Sequence, residues 1–188
     1  MKKIVFILMC IFAVTICSCD RRSSKKERLE HAVHEFNNKY KSLDIKTYYP
    51  EAYVEIKTDS IVSKTFHVSI VNHSLSDTGI LIKESINGKS KSAHYHRVFE
   101  SEINIKIADK MIFDKHISAK NFSAFSNSHF WRYATLEHVW VNEEHSDPTK
   151  VALNLSFMNP KDHTYQLYEL LVDREGNELI TLIKDYTS

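Results

Sequence analysis

Cysteine is scarce in this 188-residue chain. Cys10, Cys17 and Cys19 are its only cysteines, and all three stand close to its start. Because no cysteine follows Asp20, the rest of the chain can form no disulfide and no cysteine-ligated zinc site, and it has no cysteine nucleophile.

Glycine and an excess of one charge are lacking as well. Three glycines leave no room for a Gly-rich phosphate-binding loop, and the Gly-x-Ser-x-Gly nucleophile motif does not occur. The 25 Lys and Arg residues nearly balance the 24 Asp and Glu residues, so there is no basic excess to bind nucleic acid. The composition favours one globular domain that is not a nucleic-acid-binding protein.

The first residues have the pattern of an export signal. Two lysines follow Met1, and an apolar run extends from Ile4 to Ile16. As a helix this run is about 20 Å long, whereas a bilayer core is about 30 Å thick. We therefore expect a signal peptide over residues 1–18, with a short membrane anchor as the alternative.

The end of that run carries a short motif. Ile16-Cys17-Ser18-Cys19 resembles the lipobox of bacterial lipoproteins, an aliphatic residue and two smaller residues before a cysteine. The resemblance implies that Cys19 becomes the lipidated first residue of the processed protein. Several acyl chains would hold it firmly at a membrane. The alternative is ordinary cleavage that leaves Cys19 a free thiol.

The residues after Cys19 look like a tether. Asp20 is followed by a basic, polar stretch, Arg21-Arg22-Ser23-Ser24-Lys25-Lys26. A Cys-Asp start with such a tether resembles small lipoproteins of unknown function in the Bacteroidota. The resemblance implies a lipid-anchored protein of the cell envelope, and the basic tether favours its periplasmic side. We expect the lipidated cysteine and tether over residues 19–26 and a single globular domain over residues 27–188.

Apolar spacing predicts one helix at the start of that domain. Steps of four, three and four separate Leu29, Val33, Phe36 and Tyr40. This spacing predicts an α-helix over about residues 25–42, with Ser23 or Ser24 as N-cap.

From Tyr48 onward the apolar period changes to two, which is typical of half-buried strands. Regular alternation marks residues 66–71, 102–107 and 151–157. Further strands are expected near 52–58, 79–86, 111–117, 135–142, 164–173 and 178–185. Turn signals separate them, among them Asn87-Gly88, Asn159–Asp162 and Arg174–Asn177. The pattern predicts an antiparallel β-sandwich or open barrel of about eight or nine strands with one N-terminal helix.

Histidines suggest one candidate metal site. The stretch from Gly88 to Glu100, GKSKSAHYHRVFE, resembles the first half of the cupin signature. The resemblance implies a divalent metal held by His94, His96 and Glu100, which share one face of a regular strand.

The rest of the cupin pattern is missing. Ile107 stands where the signature has a later glycine, and no histidine follows Gly176 to supply the fourth ligand. If a regular strand continues to Ile107, Phe99 faces the core and all three candidate ligands face solvent, unless a bulge reverses the faces.

An aromatic segment is the other candidate site. The stretch from Asn121 to Tyr133, NFSAFSNSHFWRY, contains five aromatic residues. Phe130, Trp131 and Tyr133 are candidates for binding a sugar or a peptide if they are exposed. The alternative is that the segment plugs one end of the sandwich from a short helix.

These features predict a cell-envelope lipoprotein that acts as a non-enzymatic binding or accessory module, with no cofactor. Its expected partners are the membrane, through the lipid on Cys19, and an envelope protein or a glycan. The alternative is a metal-binding, cupin-like protein that uses His94, His96 and Glu100.

Overall fold

The computed structural model describes residues 24–39, 44–87, 90–123 and 129–187. The chain divides into two compact units, Met1–Leu43 and Asp44–Ser188. The first unit contributes one described helix, and all the strands belong to the second. No helix among the described residues is both long enough and apolar enough to span a bilayer. The predicted signal peptide, Cys19 and most of the tether lie outside the described residues.

The helix α1, Lys25–Lys39, begins as the sequence predicts. The Ser24 backbone N–H donates to the Glu27 carboxylate at 2.7 Å, and the Glu27 N–H donates to the Ser24 hydroxyl at 3.2 Å. These reciprocal bonds form a capping box, which satisfies two N–H groups that the first helical turn leaves free. Ser24 is therefore the N-cap, whereas Ser23 lies outside the described residues.

The second unit is built from nine strands and two short helices in the described residues. The strands are β1 Asp44–Tyr49, β2 Glu55–Val62, β3 Phe66–Asn87, β4 Ser90–Ile107, β5 Lys110–Ile117, β6 Thr135–Val141, β7 Lys150–Asn159, β8 Thr164–Asp173 and β9 Glu178–Tyr186. The helices are α2 Ala119–Ser123 and α3 His129–Tyr133.

The strands form two sheets, and the predicted β-sandwich is confirmed. The first sheet has the order β1-β4-β3-β2, with β5 also paired to β4, and the second has the order β6-β7-β8-β9. Every pair is antiparallel except β1 with β4, which is parallel. The described strands close neither sheet into a barrel.

The strand predictions hold in type but change in extent. The two segments expected at 66–71 and 79–86 are one long strand, β3, interrupted by a register shift between Ser74 and Gly79. The strand expected at 52–58 is β2 and starts at Glu55. The strand β1 was not predicted, because its residues are mostly exposed and carry no apolar alternation.

The inward-facing residues of both sheets make the core. Phe66 and Ile70 of β3, and Ile103 and Ile105 of β4, face the second sheet and are fully buried. Leu153, Leu155 and Phe157 of β7 are fully buried as well. Each such side chain contributes roughly 1.5–3 kcal/mol to folding, so the alternation that predicts these strands also identifies what holds the sheets together.

Candidate functional site

A cleft of about 640 Å³ opens in the second unit, where strand ends of the first sheet approach β6 and the β7–β8 turn. Its size falls in the range of small-molecule sites, roughly 300–1,000 Å³. Apolar side chains make much of its wall, including Ile56, Ile82, Phe99, Leu136 and Met158. The cleft therefore offers a ligand a largely apolar surface.

A second cavity, of about 900 Å³, lies on the outer face of the first sheet. It is larger, but its wall is polar, with Lys57 and Asp59 forming an ion pair at 3.5 Å. Both of these side chains are well solvated, at 60% and 64% exposure. Solvated charges on an open sheet face gain little from a ligand, so the 640 Å³ cleft is the better candidate.

Three histidines line this cleft: His94, His96 and His163. The Nδ1 of His94 is 2.9 Å from the Thr47 hydroxyl on the neighbouring β1 strand. That contact follows from the parallel pairing of β1 with β4, which sets Thr47 directly beside His94. The unpredicted strand β1 thus positions one of the cleft's polar groups.

His96 is the most buried of the three histidines. It is half-buried between the rings of Tyr49 and Phe99, whose centroids lie 5.7 and 6.2 Å from its own. Burial lowers the pKa of His96, and the nearby His94 and His163 lower it further, against the opposing effect of a hydrogen bond to the Arg97 carbonyl. His96 is therefore held in its neutral form.

One hydrogen bond fixes the tautomer of that neutral ring. The Nδ1–H of His96 donates to the Arg97 carbonyl oxygen at 2.8 Å, because a carbonyl can only accept. The other nitrogen, Nε2, then carries a lone pair and acts as an acceptor. His96 thus offers a single hydrogen-bond acceptor in apolar surroundings.

The turn between β7 and β8 positions His163. The Asn159 side chain accepts from the Lys161 N–H at 3.0 Å and donates to Asp162 at 3.0 Å. His163 takes the left-handed conformation, with φ 61°, and its N–H donates to the Asn159 carbonyl at 2.9 Å. The turn predicted from the sequence at Asn159–Asp162 therefore places the residue that follows it, His163, at the cleft.

Strand β4 contributes three residues to the cleft wall. His94, His96 and Phe99 all line it, although a regular strand would turn Phe99 to the opposite face from both histidines. The Phe99 N–H donates to the hydroxyl of Thr135 on β6 at 2.7 Å. Ser74 pairs with Phe99, and the next pair is Gly79 with Arg97. Between these pairs β3 advances five residues whereas β4 advances two.

Arg97 stabilises this irregular region. Its guanidinium donates to four backbone carbonyl oxygens, those of Pro50, Glu51, Leu75 and Ser76, at 2.6–3.2 Å. Two of these belong to the loop after β1 and two to the bulged part of β3. The planar five-donor guanidinium can satisfy such divergent acceptors, which an ammonium group cannot match.

The described structure does not group the three predicted metal ligands. Glu100 does not join His94 and His96, because its Oε2 lies 2.8 Å from Nε2 of His116 on β5. Within the described ranges, no three or more His, Cys, Asp or Glu side chains are grouped so as to hold a metal ion. A shared strand face is not sufficient for a metal site, because Glu100 is held by His116 on the neighbouring strand.

The aromatic segment is also corrected as a binding site. Phe130 and Trp131 are buried in the core, where Trp131 packs on Phe122 and Phe157 with ring centroids 5.9 and 5.1 Å apart. Tyr133 is half-buried, with the Lys161 ammonium 3.7 Å from its ring centre. Phe122, Phe130 and Trp131 lie on the two short helices and are buried, as the alternative of a plug expects. Phe125, the remaining aromatic residue of the segment, lies outside the described residues.

The sequence alone does not indicate that Thr135 and His163 lie near His96. They belong to β6 and to the β7–β8 turn, and only the fold brings them to the cleft. The sequence matches no protein-family model, and no curated protein is similar enough to count as a relative.

The lowered pKa of His96 predicts how stability depends on pH. Because the pKa is lower in the folded state than its ordinary 6.5, the unfolded chain binds more protons between those two pKa values. The free energy of unfolding should therefore decrease as the pH falls from 6.5 into that window.

The His96→Gln variant tests this, since its amide can still donate to the Arg97 carbonyl but does not titrate. Urea unfolding at pH 7.5 and 5.5 should show a smaller loss of stability in His96→Gln than in the parent. His67→Gln, which changes an exposed histidine of β3, should behave as the parent does. Equal losses in all three proteins would contradict the assignment.

Proposed function

We propose that this chain is a lipid-anchored cell-envelope protein whose β-sandwich binds a small ligand in the cleft around His96. Two independent lines support the proposal. The motif at Cys19, behind a basic and apolar leader, supports lipid attachment. The cleft supports binding.

The observation that carries the binding function is the chemistry of the cleft wall. Apolar and aromatic side chains surround neutral His96, whose Nε2 is left as an acceptor. Ligand sites typically combine a largely apolar wall with a few oriented polar groups. The ligand that fits is a mainly apolar, uncharged molecule that carries a hydroxyl or an N–H donor.

A binding role fits this site better than catalysis. The acidic residue on the cleft wall, Glu137, accepts a hydrogen bond from the Ser156 hydroxyl at 2.6 Å. General acid–base or nucleophilic catalysis needs a positioned pair of groups within hydrogen-bond reach of each other. The rings of His94 and His96 instead contact the Thr47 hydroxyl and the Arg97 carbonyl oxygen.

2-Naphthol, an aromatic molecule with one hydroxyl donor, is a suitable probe for the cleft. Ile56→Asp places a charge on the apolar cleft wall, and Ile61→Asp makes the same change on the same strand outside it. Both isoleucines are well exposed, so both variants should fold. Because an acylated protein is purified in detergent, some of the probe partitions into the detergent micelles. This loss is the same for the parent and both variants, so it does not affect their comparison.

Titration calorimetry should show 2-naphthol binding to the parent and to Ile61→Asp. We expect binding to Ile56→Asp to be about ten- to a hundredfold weaker, because burying a polar group without a partner costs roughly 1–3 kcal/mol. Equal binding in all three proteins, or none in the parent, would argue against the cleft as the site.

Cys19→Ala tests the anchor. The parent should be recovered with the membrane fraction and carry metabolically incorporated fatty acid, because its acyl chains bury many CH₂ groups at ~0.8 kcal/mol each. The variant should incorporate no fatty acid. Cys17→Ala, which keeps a small residue before Cys19, is the matched control and should be acylated. Acylation of Cys19→Ala would contradict the assignment.

A further inference from the structure

The helix α1 carries an exposed apolar stripe, formed by Leu29, Val33 and Phe36. These side chains are 66%, 51% and 61% exposed. With a turn of about 100° per residue, they fall within a sector of about 60° of the helix surface. The spacing that predicts the helix from the sequence therefore gathers its larger apolar side chains on one solvated face.

Basic residues border the apolar stripe. Lys25 and Lys26 lie on opposite sides of it, each about 50° from its centre. The acidic residues of the helix, Glu27, Glu30 and Glu35, all lie about 90° or more from that centre. Lysine stems can follow an apolar surface while the ammonium groups stay in water. Cations beside the apolar face, with anions turned away, suit a helix that lies on anionic lipid.

The start of α1 is close in the chain to the proposed lipid anchor. The capping box fixes Ser24 as the N-cap, and Ser24 is five residues after Cys19. A fully extended chain covers at most about 3.6 Å per residue, so these five steps span at most about 18 Å. A lipid on Cys19 therefore keeps the first turn of α1 near the headgroups.

A second copy of α1 is a poorer partner for the apolar stripe. The helix has 15 residues, which is about two heptads, whereas a coiled coil sustains three or four. A membrane requires no such length, because its apolar phase is continuous beneath the headgroups.

We propose that α1 lies along the membrane surface, with Leu29, Val33 and Phe36 among the acyl chains and Lys25 and Lys26 at anionic phosphate groups. The proposal rests on the anchor at Cys19 and adds a second contact between the chain and the membrane. The intrinsic affinity of α1 for lipid need only be modest, because a short tether holds the helix at a high effective concentration.

Lipid-borne quenching tests the proposal in the full, acylated chain. Val33→Cys places a thiol in the apolar stripe, and His31→Cys places one on the opposite face of α1. Both positions are exposed, so both variants should fold. Each thiol is labelled with a bimane fluorophore, and the protein is reconstituted in vesicles of phosphatidylethanolamine and phosphatidylglycerol, three to one. These vesicles also contain a lipid that carries a nitroxide near the top of its acyl chain.

The two labels should report different depths. Position 33 should lie about 5–10 Å into the headgroup boundary, whereas position 31 is on the far side of a helix about 10 Å across. We expect the lipid-borne nitroxide to quench the label at position 33 strongly and the label at position 31 hardly at all. Iodide in the water should show the reverse preference.

Lys26→Gln, made in the Val33→Cys background, tests the contact with phosphate. Its matched control is Lys57→Gln on β2, because each lysine has one exposed ion pair, at 3.9 Å to Glu30 and at 3.5 Å to Asp59. Loss of one cation near an anionic surface should lower the ratio of inserted to released label about fivefold. Lys57→Gln should leave that ratio unchanged. An equal ratio in both variants overturns the contact with phosphate.

The outcomes separate the helix from the anchor. Equal lipid quenching at positions 33 and 31 in a chain that carries fatty acid overturns the proposal and leaves the anchor at Cys19 in place. A label at position 33 that is shielded from iodide but not quenched by the lipid also overturns it, since protein then covers the apolar stripe. A chain that mass spectrometry shows to carry no fatty acid refutes the anchor and the proposal together.

Discussion

The guanidinium of Arg97 is the interaction on which the irregular part of this sandwich depends. The carbonyl groups of the loop after β1 and of the bulge in β3 have no partner strand there to donate to them, and each hydrogen bond they gain is worth about 1 kcal/mol. Arg97 supplies donors to both segments at once, and its Cζ atom also lies 4.8 Å from the ring centre of Tyr48. A loop and a bulge that would otherwise be loose are thereby fixed against β4.

The cleft follows from that irregularity. Beside Arg97 the extra residues of β3 shift its register with β4, and His96 and Phe99 line the same cleft wall. A second irregularity, the shift between Leu81 and Lys83, leaves Ile82 as an extra residue that also lines the cleft. Bulges commonly re-aim side chains in this way near functional sites. The neutral state of His96 is then a consequence of where the strand places it.

The regular parts of the fold were accessible from sequence because each depends on a local pattern. The capping box joins Ser24 to Glu27, three residues away, and the alternation of Ile103 and Ile105 has a period of two. Both patterns involve residues that are close in the sequence. The same reasoning failed for β1, whose pairing partner lies far away in the chain.

The cleft was inaccessible from sequence for a related physical reason. The surroundings of His94, His96 and Glu100 depend on contacts from residues 50–51, 75–76 and Thr135, none of which adjoins them in the sequence. The residues near Glu100 in the sequence do not predict its hydrogen bond with His116 on the next strand. Nor does the turn motif that precedes His163 indicate which residues it will face.

The most direct test of this account is the pKa of His96 in an Arg97→Lys variant, followed by NMR of the histidine rings, with Arg174→Lys as control. The account predicts that loss of the guanidinium loosens the cleft, so that the pKa of His96 rises toward its ordinary 6.5 and stability falls by about 1–3 kcal/mol. An unchanged pKa and an unchanged stability would contradict the central role given to Arg97.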